Sequence, residues 1–143
     1  YDLLMDIYLE YGFSEEYTIN VERPGKSGAD EIQQMMKNFR NNPPKELGGS
    51  KICLWKDFLR LEAVDAQGNK TPLVMPDKSN VLQWFCTDGN KVSVRPSGTE
   101  PKIKFYLEIK DKMKSPDEYK TCRARACEKI SAIKKSLGLE YEI

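Results

Sequence analysis

The residues of this 143-residue chain best suited to chemistry are Arg95-Pro96-Ser97-Gly98-Thr99-Glu100-Pro101, with Lys104 close behind. Gly98 lets the backbone turn, successive N–H groups and two hydroxyls can converge on oxygen atoms, and the two prolines stiffen the loop. Arginine grips a phosphate through two parallel hydrogen bonds, whereas lysine acts as a point charge. With a strand on each side, alternation sets Arg95 on the face opposite Val92 and Val94, and Lys104 opposite Ile103 and Phe105, so both cations flank the loop on its polar side. Such a geometry asks for phosphate. The same residue types also make a hairpin loop whose Ser and Thr satisfy only their own backbone, and spacing alone leaves these two readings level.

The chain contains no histidine. A Ser-His-Asp triad, a Cys-His pair, a His-ligated zinc and an imidazole general base are therefore excluded. Cys53, Cys86, Cys122 and Cys127 form no CxxC pair and read as buried thiols. Their spacing is not that of a small secreted scaffold, which points to a reducing cytoplasm. Basic and acidic residues balance at 23 and 22, so nothing global draws the chain to nucleic acid or an anionic membrane, and any anion site must be local. No apolar run is long enough to span a bilayer. A hydrophobic share of 39% with 31% charged residues is that of a globular domain, and the length fits one domain or one domain plus a short piece of another. The opening at Tyr1, in what reads as the middle of an amphipathic helix, suggests a fragment.

Periodicity supplies the elements that must hold the loop. Leu4, Ile7, Tyr8 and Tyr11 predict a helix over 2–11, stopped by Gly12. Residues 16–22 alternate as a short strand before Pro24-Gly25. A second helix is expected from an N-cap at Ser27, with Ala29, Ile32, Met36 and Phe39 on its apolar face, ending at Asn41-Asn42-Pro43-Pro44. Residues 51–64 read as one or two strands and 72–77 as irregular. Asp88-Gly89-Asn90 joins strands 81–86 and 91–95 into a hairpin. Residues 102–110 alternate, with Ile103, Phe105, Leu107 and Ile109 on the core face. The last helix should start with Ser115 as N-cap, Pro116 at the first position and Glu118 completing a capping box. Its stripe is Tyr119, Cys122, Ala126, Ile130, Ile133 and Leu137, and Gly138 ends it. This order gives an α+β fold, an antiparallel sheet with helices packed on one face.

The string Val94 to Tyr106 (VRPSGTEPKIKFY) resembles the C-terminal phosphate-binding loop of the α-D-phosphohexomutases, the phosphoglucomutase and phosphomannomutase family. More loosely, Asn20 to Gly25 and Pro43 to Gly49 are similar to the approach to, and first part of, that family's fourth domain. Residues 1–12 resemble the last helix of its third domain and a hinge, leaving 13–143 as the C-terminal phosphate-binding domain. The resemblance implies a TATA-binding-protein-like fold, without implying DNA binding. It also implies that Arg95, Ser97, Gly98 and Thr99 hold the phosphate of a sugar phosphate. Lys104 stands where many members carry a second arginine, which keeps the charge and loses the fork. Glu100 reads as a loop-stabilising carboxylate.

The family's phosphoserine loop carries a histidine and its magnesium loop alternates aspartates; neither occurs here. The chain thus resembles a detached fourth domain, with no catalytic residue, no metal and no cofactor of its own. The implied parent is an isomerase that uses magnesium and interconverts hexose 1-phosphate and hexose 6-phosphate through a bisphosphorylated sugar. Its partners would be the hexose phosphate and the other three domains, with no nucleic acid and no membrane. Three rivals are the same domain of an amino-sugar phosphomutase, a nucleic-acid module and a stand-alone structural domain with no ligand. The second would use the basic stretch 112–135 and base stacking on Trp84, Phe85 and Tyr106.

Overall fold

The computed structural model describes residues 2–23, 25–97 and 101–139. In chain order they form α1 (Asp2–Tyr11), β1 (Phe13–Glu22), α2 (Lys26–Asn41), β2 (Glu46–Leu47), β3 (Ser50–Asp57), β4 (Glu62–Asp65) and β5 (Lys70–Pro72). Then come β6 (Leu82–Cys86), β7 (Lys91–Pro96), β8 (Lys102–Asp111), a 3-10 turn (Pro116–Glu118) and α3 (Tyr119–Ser136). All pairings are antiparallel, in the order β1-β8-β7-β6-β3-β4-β5, with β2 attached to β3. The chain is an α+β fold.

One face of this sheet is the core. Val92 and Val94 of β7, Leu82 and Trp84 of β6, and the four apolar residues of β8 are buried together with Ile32 and Met36 of α2 and Cys122, Ala126, Ile130 and Ile133 of α3. Phe39 of α2 packs edge-on against Trp84 and Phe105, with ring centroids 5.2 and 5.9 Å apart. Met5 of α1 joins the same cluster, and Tyr8 stacks on Tyr119. The helices therefore share a face, and the period-two alternation of β7 and β8 leaves their polar residues on the other. Among the described residues no helix is long and apolar enough to cross a membrane.

Several local expectations are corrected. The first strand begins at Phe13 and pairs residue by residue with β8 from Phe13↔Asp111 to Glu22↔Lys102, because Phe13 adds a buried anchor at its start. Gly12, at φ 92°, is the turning point between α1 and β1. Gly25, not Ser27, is the N-cap of α2, without a side-chain hydrogen bond. Ala29 is exposed and Gly28 lies buried in its place: a Cβ there would overlap the carbonyl oxygen of Arg23. At the last helix Ser115 makes no side-chain cap bond, and a 3-10 turn precedes α3. The Glu118 carboxylate accepts the N–H of Lys114 at 2.9 Å, one residue earlier than a capping box requires. The short strands β2 and β5 have too few residues to show a period. Cys127 is exposed and Cys53 half-buried, so only Cys86 and Cys122 are buried thiols. Cys127 follows Ala126 on α3, about 100° round the helix from the buried stripe.

Candidate functional site

The loop of interest is carried by β7 and β8, neighbouring strands inside the sheet. β7 and β8 run in register from Lys91↔Glu108 to Pro96↔Ile103, which fixes both stalks. The Ser97 N–H then donates to the Lys102 carbonyl at 2.9 Å and closes the base of the loop. A third strand tethers its far end. The Arg23 N–H, just past β1, donates to the Pro101 carbonyl at 2.9 Å, and Lys102 Nζ lies 3.3 Å from Glu22 Oε1. Gly28 lets the first turn of α2 sit against Arg23, so helix, strand and loop exit are in one packed joint.

On the open face, Arg95 is the direct cross-strand partner of Lys104, and Asn20 of β1 occupies the next place along that rung. Both cations are exposed, and among the described residues neither has a hydrogen bond or an acidic partner. Like charges directly opposite each other destabilise a sheet by roughly 0.2–1 kcal/mol, and an anion between them reverses that sign. Arg95, Pro96, Ser97, Lys104 and Tyr106 line a cleft of about 250 Å³ at this point. Arg95, Ser97 and Lys104 are thus brought together as expected. Gly98 and Thr99, and Glu100 beside them, lie outside the described residues.

Larger hollows exist, and in two of them the arginines and Lys129 face carboxylates. A hollow of about 740 Å³ at the other end of β8 contains Lys129 facing Asp88 at 3.3 Å and Arg125 facing Asp111 at 2.6 Å. Another, of about 430 Å³ beside α2, contains Arg40, whose guanidinium is bonded to Asp57 at 2.8 Å and to Asn80 at 2.8 Å. A third, of about 840 Å³, is walled by Pro43, Pro44, Ile52 and Trp55 together with Lys45, Glu46 and Lys51. A cation already neutralised by a carboxylate offers an incoming anion little, so the small cleft is the stronger candidate despite its size.

Electrostatics elsewhere are structural. Burial alone would raise the Asp88 carboxyl, but hydrogen bonds from Ser50, the Asn90 N–H and Lys129 outweigh it and hold the group below its ordinary value. Lys129 Nζ also donates to the Gly48 carbonyl at 2.9 Å and to Ser50, tying α3 to the β2–β3 turn. Among the described residues no three Cys, Asp or Glu side chains converge as a metal requires, so they do not fit the magnesium implied for the parent.

Sequence reasoning left two features of the site unrecognised. Tyr106, which enters the sequence reading only for base stacking, lines the cleft. The Arg23–Pro101 tether depends on pairing 78 residues apart in sequence and leaves no local signal. The nucleic-acid reading loses one of its three aromatics, because Trp84 is wholly buried on the helix side of the sheet.

Comparison with known proteins falls on this same region. The family described as "Phosphoglucomutase/phosphomannomutase, C-terminal domain" matches residues 19–118. Among curated proteins, the chain is similar to the phosphoglucomutases of Staphylococcus aureus strains N315 and MSSA476. It is 36% identical to each over 109 residues, covering 76% of this chain and 20% of theirs. A solved structure of pp63/parafusin, a phosphoglucomutase from Paramecium in its open form, aligns with 95% of this chain and 22% of its own, at 14% identity and a TM-score of 0.49. The chain spans about a fifth of the length of the curated relatives it matches.

Proposed function

Because this chain belongs to the phosphoglucomutase/phosphomannomutase C-terminal domain family, we propose that it is the substrate-phosphate-binding domain of a hexose phosphomutase. The observation that carries this reading is the Arg95–Lys104 rung, two cations without an acidic partner among the described residues, at the mouth of a loop that also supplies Ser97. In the parent, an isomerase, a phosphoryl group passes between a phosphoserine and the 1- or 6-hydroxyl of a hexose, by way of a bisphosphorylated sugar. The nucleophile and the magnesium lie in the remainder of that protein. Residues 13–143 grip the phosphate that is not being transferred, with Arg95, Ser97, Gly98, Thr99 and Lys104 as its ligands. Residues 1–12 are the last helix of the preceding domain and its hinge, a role supported by the exposed Leu3, Leu4 and Ile7 and by the turn at Gly12.

Phosphoryl transfer depends on positioning and charge neutralisation, and a grip at one end of the substrate orients the other. Arg95 supplies a fork and Lys104 a point charge, so a tetrahedral dianion is held firmly in direction by one and neutralised by the other. The bisphosphorylated sugar must turn over between half-reactions, which requires release from this grip and opening of the domain about Gly12. Four cysteines present as free thiols support a reducing cytoplasm as the compartment. A substrate carrying an amino sugar would meet the same phosphate ligands, and the cleft described does not favour it.

The test is a titration of the chain with inorganic phosphate and glucose 1,6-bisphosphate, followed by backbone amide shifts. Localised shifts at Ser97, Gly98 and Thr99 that vanish in Arg95→Ala are expected. No shift at millimolar ligand, or shifts indifferent to Arg95→Ala, would overturn the reading.

A further inference from the structure

Beside the cation rung stands an aromatic side chain whose position suits a different part of the ligand. Tyr106 follows Lys104 by two residues on the same face of β8, about 7 Å along the strand, and it lines the same cleft as Arg95, Ser97 and Lys104. It is 41% exposed, and among the described residues neither its ring nor its hydroxyl has a partner. Three other tyrosines differ: Tyr8 and Tyr119 stack on each other, and Tyr17 lies under the Lys134 ammonium; Tyr11 is exposed as well but lies at the end of α1, away from this cleft. The neighbours of Tyr106 along its rung are polar and uncharged, Thr18 on one side and Ser93 then Gln83 on the other, before Lys56.

From this juxtaposition we propose that Tyr106 is a positioning and specificity residue, the platform on which the ring of a hexose phosphate lies while Arg95 and Lys104 hold its phosphate. The proposal rests on the phosphate reading given above and adds the sugar's own contact within this chain. A pyranose has faces of polarised C–H groups, which the negative face of an aromatic ring attracts, and an edge of hydroxyls. Tyr106 offers the face, and its phenol, with the hydroxyls of Thr18 and Ser93 on the same rung, offers partners for the edge. The step of two residues from Lys104 matches the step from a phosphate to the ring that bears it. A tyrosine is a good strand former anywhere, but an unpartnered one beside an unpaired cation rung makes a mixed aromatic and charged cleft, the composition of a small-ligand site.

The chain, Tyr106→Phe, Tyr106→Ala and Arg95→Ala are each titrated with inorganic phosphate, ethyl phosphate, glucose 1-phosphate and glucose 6-phosphate. The unmutated chain should bind the hexose phosphates about threefold to tenfold more tightly than the two ringless ligands. Tyr106→Ala should erase that preference without changing the affinity for inorganic phosphate, and Tyr106→Phe should keep the part due to stacking. Saturation of the Tyr106 ring protons should transfer to sugar protons, a signature that a merely structural tyrosine would not produce. Equal affinity for ringed and ringless phosphates in the unmutated chain, or a Tyr106→Ala variant that weakens all four ligands alike or none, overturns the platform and leaves the phosphate site standing. Absence of phosphate binding, or binding indifferent to Arg95→Ala, overturns the phosphate site and the platform together. Circular dichroism of Tyr106→Ala, compared with the unmutated chain and with Tyr106→Phe, separates loss of folding from loss of contact.

Discussion

Arg95 of β7 and Lys104 of β8 are direct cross-strand partners, two cations on one rung of an antiparallel ladder with no acidic partner among the described residues. The arrangement works against the sheet's own stability, since like charges at this separation repel. Only an anion at the loop turns the repulsion into attraction. Stability and binding should therefore respond in opposite senses to the loss of either charge.

Arg95→Ala should abolish phosphate-dependent amide shifts and leave the urea midpoint unchanged or raised, by about 0.2–1 kcal/mol in stability. Arg95→Lys should retain weak binding, because it keeps the charge and loses the bidentate fork. Parallel denaturation and phosphate titrations check this. A destabilised Arg95→Ala would show that the guanidinium has a structural partner.

Gly28→Ala should disturb the loop although it lies outside the cleft. The added methyl overlaps the Arg23 carbonyl, and the N–H of that same residue holds Pro101. A cost of about 1–3 kcal/mol is expected from overpacking. Amide shifts at Lys102 and Ser97, compared with those of an exposed control such as Ala29→Ser, would reveal whether the joint transmits the strain.

Asp57 should be the most sensitive polar position away from the cleft. Its side chain is 6% exposed and that of Arg40 10%, with Nε 2.8 Å from Oδ2. Oδ1 also accepts the N–H groups of Leu59 and Arg60, in a turn where Leu61 is held at φ 53°. Asp57→Ala strands a buried guanidinium and should cost about 3–5 kcal/mol, read from the urea midpoint. Replacing Arg40 as well should recover part of that loss.

Stability should also depend on acid through Asp88. Its carboxyl is held below the usual 3.8 by Ser50, Asn90 and Lys129. The depressed value means that its contribution is present above pH 3.8 and is lost as pH falls through the lower folded value. Asp88→Asn should be less stable than the parent chain at neutral pH, with a smaller further loss on acidification. Urea midpoints between neutral pH and about 3 measure both.

Thiol labelling should follow exposure. Cys127 should react first and Cys53 next, and Cys86 should resist. Burial, aided by Asp88, pushes the Cys86 thiol up to about 11 from 9.0, against the opposing pull of Lys129. A raised folded value confers stability that is full below pH 9.0 and is lost as pH rises through about 11. Cys86→Val should lessen that alkaline loss, measured by thermal melts across the range.

The strong periodic elements were legible before any coordinates. Ile103, Phe105, Leu107 and Ile109 alternate without interruption, and all four are buried; the stripe from Cys122 to Ile133 lies where helical spacing sets it. Period alone decides which side of a strand or helix turns inward, so Arg95 and Lys104 could be assigned to the polar face from residue order. The absence of histidine likewise excluded whole classes of catalysis by composition. Helix starts were less legible. Ser27 and Ser115 are good cap residues by type, yet Gly25 starts α2, and a 3-10 turn containing Pro116 precedes α3. Capping depends on the incoming chain direction, which distant packing sets.

What residue order could not decide was register. That Arg95 faces Lys104, and that Asn20 continues the rung from a strand 84 residues away, follows from hydrogen bonding between β1, β8 and β7. A shift of one residue would send these side chains into the core, so burial of the apolar faces selects the register and the site inherits it. The same pairing brings Arg23 to Pro101 and sets Tyr106 beside the cations. Side-chain types are local, and the sequence determines them alone; convergence is a property of strands that meet only when the core forms.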